Sequence, residues 1–369
     1  MRGTLAKRTA DLLHSTARGM AKNKALVGFD GFVDTILHVV KTRQSATGYE
    51  RYESMQEWAA GIAAASGLSA NFELVPQWIK LGGNGPIMAN ALDALEVGVT
   101  YIGNLGKPAV HPVFADFKKR VRVISLAEPG FTDAYEFDDG KLMCGKLDGL
   151  REVNWRNLVS HVPEAQLVRL FSESDLIAMV NWTMLSHLTD VLRNLLSRVL
   201  PKMRGSRRWI FFDLADPAKR PRKDLLEILR LISRYEKRAR VILGMNLGEA
   251  RQVAAALALG GIDETCTAVT DAAWRIRRAL GIDTVVIHPI HFAAAAETRG
   301  TAHVEGAVCT KPKITTGAGD HFNAGFCLCR IRGLGLPESL QLGVATSGYY
   351  VRSVKSPGVK ELLRFLRTL

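Results

Sequence analysis

Residues 315–320 read TTGAGD, and residues 321–332, HFNAGFCLCRIR, continue as a predicted helix. The small residues of the turn let the backbone approach a ligand closely, and they are Gly317, Ala318 and Gly319. The helix that follows presents free N–H groups at its positive end, which predicts an anion site. Asp320, in the first helical turn, would then lie beside the bound anion.

Phosphoryl transfer needs this combination of groups. Backbone donors hold the charge that develops on the moving phosphate, and a carboxylate accepts the proton of the attacking hydroxyl. The same residues also fit a glycine-rich turn in which Asp320 is an ordinary N-cap. The segment alone leaves both interpretations open.

Upstream of this segment, short apolar runs alternate with longer helical stretches. The runs are rich in Val, Ile and Phe, which is typical of strands buried on both faces. Predicted strands are residues 25–29, 100–102, 176–180, 209–213, 241–244 and 284–287, and predicted helices are 86–95, 185–199, 223–235, 270–280 and 321–332. The alternation predicts an α/β fold with a mostly parallel central sheet and helices on both faces.

Two regions break the alternation and predict a small antiparallel β lid, with segments at about 36–52 and 121–147. In the second region, two short runs flank the sequence DDG at 138–140, a plausible hairpin turn. A helical insertion is predicted at 54–67, where it would reshape the lid or an oligomer contact. We therefore expect one domain over residues 1–369, carrying this lid.

The composition argues against several other classes of protein. No run of about 18 apolar residues is present, so a membrane span is not expected. Five cysteines without paired spacing predict reduced thiols and a cytoplasmic protein. The net charge of +13 is spread over separate helices and loops without interleaved aromatics, so nucleic acid is not expected as the main partner. Neither a P-loop nor a dinucleotide-binding glycine motif is present.

Three further segments place polar residues at the ends of predicted strands or the start of a helix. They read FDGFVD at 29–34, GGN at 82–84 and NLGE at 246–249. A carboxylate can accept hydrogen bonds from two neighbouring hydroxyls, which suits a polyol. Taken singly, each segment also fits a plain turn or helix start.

The sequence TTGAGDHFNAGF closely resembles the C-terminal signature of the PfkB/ribokinase-like carbohydrate kinases, and the three other segments occur in the order of that family. The resemblance implies that Asp320 is the catalytic base and that the backbone of 317–319 forms the anion hole. It further implies substrate contacts from Asp30, Asp34, Gly82, Gly83 and Asn84, nucleotide or phosphate contacts from Asn246, Thr316 and Asn323, and Mg²⁺ held through water by Glu249.

The implied activity is phosphorylation of a sugar or sugar-like metabolite, with ATP and Mg²⁺ as cofactors. A free sugar, a sugar phosphate and a nucleoside remain open as acceptors, ADP remains open as donor, and a homodimer through the lid is one arrangement the sequence allows. The rival is a non-catalytic ribokinase-like sensor or scaffold. It is disfavoured because the three polar residues Asp320, Glu249 and Asn246 are all present.

Two positions depart from the family pattern. Many members carry an Asp immediately before TTGAGD that helps to bind a monovalent cation, whereas this chain has Ile314, so potassium activation is not expected. The nucleotide loop usually reads Thr-x-Gly-x-x-Gly, whereas residues 287–292 read IHPIHF. We interpret His288 and His291 as loop residues rather than phosphate ligands.

Overall fold

The computed structural model describes residues 2–16, 23–205 and 207–369, which form two β-sheets and their flanking helices. The strands are β1 Lys24–Phe29, β2 Phe32–Arg43, β3 Tyr49–Arg51, β4 Leu74–Gly82, β5 Gly98–Gly103, β6 Arg122–Ser125, β7 Gly130–Phe137, β8 Gly140–Lys146, β9 Leu176–Met179, β10 Trp209–Asp213, β11 Arg240–Met245, β12 Thr284–Ile287, β13 Phe292–Glu297 and β14 Gly300–Glu305. The helices are α1 Arg2–Thr16, α2 Met55–Ala64, α3 Asn84–Ala94, α4 Ala115–Arg120, α5 Trp155–His161, α6 Glu164–Glu173, α7 Leu188–Asn194, α8 Arg222–Tyr235, α9 Leu247–Ala256, α10 Cys266–Leu280, α11 Ala318–Ile331, α12 Leu336–Ser353 and α13 Val359–Leu366.

The large sheet has the strand order β14-β13-β12-β11-β10-β9-β1-β5-β6. Pairing is parallel from β12 to β6, and β13 and β14 add an antiparallel edge. All six predicted strands are present in it. Side chains of β10 alternate between the two faces, with Ile210 and Phe212 on one side and Trp209 and Phe211 on the other. Helices α6 to α10 cover the first face and α1, α3, α4 and α11 to α13 the second, which confirms the predicted fold class.

Three strands of the large sheet were missing from the sequence prediction. Strand β6 falls inside the segment 121–147 assigned to the lid, but it pairs in parallel with β5 of the large sheet. Strands β13 and β14 extend the other edge. The four alanines at 293–296 have little preference for strands, and their complete burial between the sheet and its helices decides their conformation.

The small sheet has the order β3-β2-β7-β8, with β4 paired to the other edge of β2. Its pairs are antiparallel except β2 with β7. The predicted hairpin is β7–β8. Strand β4 was missed because Pro76, a residue rare within sheets, interrupts its pattern. The predicted insertion helix is α2, whose Trp58 packs on Tyr135 at 5.0 Å and Phe137 at 5.6 Å between ring centroids.

Short connections tie the small sheet to the carboxyl end of β1. Only Asp30 and Gly31 separate β1 from β2, and only Gly83 separates β4 from α3. The small sheet therefore borders the edge of the large sheet where its parallel strands end. That it acts as a lid stays a prediction. Across 2–16, 23–205 and 207–369, no helix has the length and apolar character to span a bilayer.

Candidate active site

Four neighbouring strands of the large sheet end in polar residues at the same edge. Asp30 follows β1, Asn181 lies two residues after β9, Asp213 ends β10 and Asn246 follows β11. In open parallel sheets, ligand sites form in the crevice beyond the carboxyl ends of the strands. The site residues predicted from the sequence all lie at this edge or on the two elements that face it, α11 and the small sheet.

Asp30 binds the backbone that leads into α3. Its carboxylate accepts hydrogen bonds from the N–H of Asn84 at 2.9 Å, the N–H of Gly85 at 2.8 Å and the Nδ2 of Asn181 at 2.6 Å. The side chain is fully buried, and burial raises its pKa to about 6 although these donors act in the opposite direction. Asp30 thus holds the 83–85 segment in place, and a sugar contact from it stays a prediction.

A cavity of about 500 Å³ opens between the strand ends, α11 and the small sheet. The predicted residues that line it are Asp34, Gly83, Asn84, Glu249, Thr316, Gly317 and Asp320. Asp34 is 4% exposed, and burial raises its pKa while the nearby Lys80 lowers it. Gly82 packs against this carboxylate, since a Cβ there would lie 2.4 Å from Asp34 Oδ2. The fold therefore brings together segments that are nearly 300 residues apart in the chain.

A second cavity, of about 520 Å³, lies on the other side of the 315–320 turn. Asn246, Ala318 and Gly319 line it together with mostly apolar residues, among them Ile290, Phe292, Val308, Val344 and Val351. His288 also lines this cavity. Its ring lies against Phe322 with centroids 4.6 Å apart and an interplanar angle of 31°, and burial lowers its pKa to about 4, so the imidazole is neutral. The backbone of the turn thus forms the wall between the two cavities.

The turn owes its shape to Gly317, the N-cap of α11, whose φ of 90° favours glycine. Asp320 follows in the first turn of α11 and is 6% exposed. Its Oδ1 accepts a hydrogen bond from Asn84 Nδ2 at 3.0 Å. Burial raises the pKa of Asp320 to about 8, against the effect of Asn84 and with the help of the negative charges of Asp30 and Glu249.

Asn246 and Glu249 form a capping box at the start of α9. The Asn246 side-chain oxygen accepts from the Glu249 N–H, and Glu249 Oε2 accepts from the Asn246 N–H, both at 2.9 Å. Glu249 Oε1 accepts from the Asp216 N–H at 2.9 Å, and burial raises the pKa of this carboxyl group. Within the described ranges, no three His, Cys, Asp or Glu residues are arranged to bind a metal directly. The donor set fits a hydrated ion beside Glu249 rather than a protein cage.

Sequence reasoning missed Asp213, which is buried at the end of β10. Its Oδ2 accepts from Asn323 Nδ2 at 3.1 Å, so the amide of Asn323 faces this carboxylate, and a nucleotide or phosphate contact from Asn323 stays a prediction. Burial raises the pKa of Asp213, and the charges of Glu249 and Asp320 add to this effect. The sequence did carry a signal for Asp213, because a carboxylate at the end of a buried parallel strand lies at the edge of the sheet where ligands bind.

The loop after β10 was missed as well. Ala215 and Asp216 both have positive φ, at 54° and 58°, which is uncommon for residues other than glycine and concentrates at functional sites. Together with Lys219 they line the 500 Å³ cavity. The sequence carries no local sign of this conformation because neither residue is a glycine.

Comparison with known proteins decides the family. The model of the prokaryotic ketohexokinase family matches residues 6–368. The chain belongs to this family. A ketohexokinase of Haloferax volcanii is 31% identical over 348 residues, which cover 93% of this chain and 90% of that protein. The chain is therefore a PfkB-type carbohydrate kinase, as the sequence resemblance implied, and membership in this kinase family implies the use of ATP.

Solved structures share the fold of this prokaryotic ketohexokinase family member at low sequence identity. A ribokinase from Thermotoga maritima aligns with a TM-score of 0.63 and 16% identity, over 94% of this chain and 99% of that chain. A probable sugar kinase from Rhizobium etli aligns with a TM-score of 0.65 and 15% identity, over 94% and 98%. An Arabidopsis thaliana ribokinase complexed with ribose and ATP aligns with a TM-score of 0.63 and 16% identity, over 94% and 98%. These matches confirm the ribokinase-like fold.

Proposed function

We propose that this sugar kinase transfers the γ-phosphoryl group of ATP to a hydroxyl of a free ketohexose. The observation that carries the proposal is the position of the 315–320 turn as the wall between two cavities. Thr316 and Gly317 border the cavity that holds Asp34, and Ala318 and Gly319 border the apolar one. A phosphoryl group that moves from a donor in one cavity to an acceptor in the other passes next to this turn. The backbone N–H groups of the turn can then stabilise the charge of that group.

Asp320 is suited to act as the general base. It lines the acceptor cavity, and Asn84 orients its carboxylate through one oxygen. A base is most effective when its pKa lies near the working pH, and burial raises that of Asp320 to about 8. An ordinary surface aspartate would be a much weaker proton acceptor. The hydroxyl proton of the acceptor therefore passes to Asp320 as the oxygen attacks the phosphorus.

The charges around the acceptor cavity favour an uncharged acceptor. Among the described residues that line it, Asp34, Asp216, Glu249 and Asp320 are acidic and Lys219 is basic, while Lys80 and Lys141 lie close enough to Asp34 to lower its pKa. An added phosphate at about 4–8 Å would be repelled by about 2–4 kcal/mol per unit of its charge for each ionised carboxylate at an effective dielectric constant of about 20. A free sugar meets no such repulsion, and carboxylates accept its hydroxyl hydrogens. Together with the ketohexokinase relative, this supports a ketohexose over a sugar phosphate.

The apolar cavity is suited to the nucleotide. Its aliphatic lining suits a flat heterocyclic base. Asn246 and residues 318–319 border the same cavity, and the phosphates would meet the N-terminus of α11 at residues 318–319. Glu249 would hold hydrated Mg²⁺, which neutralises charge on the phosphates when bound. Within this arrangement, Thr316 and Asn323 stay proposed phosphate contacts.

We also propose that a second copy of the chain covers the face of the small sheet that carries Asp34. Trp78 and Met143 lie on this face and are 51% and 43% exposed. On the opposite face, α2 packs on Tyr135 and Phe137, and Ile79 and Leu142 are 58% and 42% exposed. Large exposed apolar side chains of this kind mark interaction surfaces. Light scattering of the protein and of Trp78→Lys checks this, with a dimer and a monomer expected respectively.

The test of the proposed activity is a substrate panel read by ADP release, with and without Mg²⁺. The acceptors are a ketohexose, an aldohexose, a ketohexose phosphate and a nucleoside, because adenosine kinase and nucleoside kinase share this fold. We expect kcat/KM for the ketohexose to exceed the others at least about tenfold, since missing polar contacts discriminate strongly. Sugar binding by calorimetry without turnover of any acceptor would instead support the sensor.

A further inference from the structure

Two backbone carbonyls of the 315–320 turn accept hydrogen bonds from a stacked pair of aromatic side chains. Tyr350 Oη donates to the Thr316 carbonyl at 3.1 Å, and His321 Nδ1 donates to the Gly317 carbonyl at 2.7 Å. The two rings are nearly parallel, with centroids 3.6 Å apart and an interplanar angle of 13°. His321 is 1% exposed and Tyr350 is 8% exposed, so both side chains are largely buried.

A chain of side chains fixes the orientation of the imidazole. Ser356 Oγ lies 2.8 Å from His321 Nε2, Asn90 Nδ2 donates to Ser356 Oγ at 2.9 Å, and Arg120 Nη2 donates to Asn90 Oδ1 at 2.6 Å. A guanidinium can only donate and a carbonyl can only accept. Burial lowers the pKa of His321 to about 4, so the imidazole is neutral and carries a single hydrogen, which must face the Gly317 carbonyl. His321 carries its hydrogen on Nδ1, and Nε2 accepts from the Ser356 hydroxyl.

Fixing a carbonyl also fixes the N–H on the other side of the same peptide unit. In a trans peptide the two groups lie in one plane and point in opposite directions. Tyr350 holds the Thr316 carbonyl and so directs the Gly317 N–H away from the ring, on the side of the acceptor cavity that Gly317 lines. His321 holds the Gly317 carbonyl and so directs the Ala318 N–H, which closes the turn on the Thr315 carbonyl at 3.1 Å.

We propose that Tyr350 and His321 are positioning residues that fix the shape of the 315–320 turn, so that the Gly317 N–H points at the phosphoryl group as it is transferred. This inference rests on the proposed phosphoryl transfer across the turn. Neither side chain touches the reacting atoms. Their contribution is to hold the donors in the direction where charge develops, so that no reorganisation is needed during the reaction. Asn90, Ser356 and Arg120 support His321 from behind.

The expected effect falls on kcat and leaves KM nearly unchanged, because donors that act on the developing charge contribute more in the transition state than in the ground state. Removing one donor outright from such a site lowers kcat by about 10²–10³-fold, and misdirecting a donor lowers it less. We expect Tyr350→Phe to lower kcat about 3–10-fold and His321→Leu about 10–50-fold. His321→Asn, whose amide nitrogen takes the place of Nδ1, should recover part of the loss.

The experiment measures kcat, KM and the affinity of ADP with a planar metal-fluoride mimic of the phosphoryl group, all in the presence of the sugar. The matched control is Tyr235→Phe, which removes another buried hydroxyl that donates to a backbone carbonyl, that of Leu192 at 2.6 Å. We expect Tyr350→Phe to weaken the mimic complex by the same factor as kcat. Tyr235→Phe should lower the melting temperature and leave both quantities unchanged.

The inference is overturned if Tyr350→Phe keeps the kcat and mimic affinity of the unaltered enzyme, or if Tyr350→Phe and His321→Asn change only stability as the control does. Should His321→Leu fail to fold, the Tyr350→Phe and His321→Asn proteins still decide the question. A failure of the proposed function is a different result, since the unaltered protein would then phosphorylate no sugar.

Discussion

Replacing Asp320 with asparagine tests the centre of the proposed mechanism. The change keeps the shape of the side chain and can keep the contact with Asn84, so the protein should fold, but it removes the proton acceptor. General bases contribute about 10²–10⁴-fold to rate, so we expect turnover to fall at least about a hundredfold. The raised pKa of Asp320 also predicts that the activity depends on pH.

With a pKa of about 8, about one tenth of Asp320 is ionised at pH 7 in the free enzyme. Because the base acts only when ionised, kcat/KM should fall as the pH falls below 8. Between pH 9 and pH 7 it should drop about tenfold, and by another factor of about ten at pH 6. The assay is ADP release at saturating MgATP and limiting sugar from pH 6 to pH 9.5, with circular dichroism as the check on folding. Asp34→Asn is the matched control, expected to raise KM for the sugar and to keep the pH dependence. A profile that stays flat from pH 6 to 9 in the unaltered enzyme, or near-normal turnover in Asp320→Asn, would refute the reasoning.

Three further outcomes follow from the same contacts. Asn84→Ala removes a donor that favours the ionised form of Asp320, so the acid limb of the kcat/KM profile should move to higher pH. A shift to lower pH would contradict the role of Asn84 as that donor. Asp30→Ala leaves two backbone N–H groups and Asn181 Nδ2 without their buried acceptor, so urea unfolding should show a loss of about 3–5 kcal/mol, and a loss below about 1 kcal/mol would contradict this account. Replacing K⁺ by Na⁺ or by a bulky organic cation should leave the rate unchanged, because Ile314 offers no side-chain oxygen ligand. A requirement for K⁺ would disprove the expectation that the enzyme works without a bound monovalent cation.

Much of the fold was predictable because local patterns carry it. Short buried runs with β-branched residues predict parallel strands, and each of the six predicted strands is present within a residue or two of its expected ends. The strands that were missed lack such patterns. Strand β13 is built of alanines, and β4 contains Pro76, so in both cases burial and pairing with distant segments decide the conformation.

The candidate site likewise combines features that local sequence sets with features that packing sets. Local sequence specifies the 315–320 turn, the acidic residues that follow β1 and the helix start at 246–249, because glycine and cap geometry depend on neighbouring residues in the chain. Packing between distant segments decides that Asp30 faces the 83–85 backbone and that Asp213 accepts a hydrogen bond from the amide of Asn323. It alone also decides that His321 meets Ser356. These partners lie 35 to 110 residues apart, and which polar groups meet across such distances is set by how helices and strands pack, which no local pattern encodes.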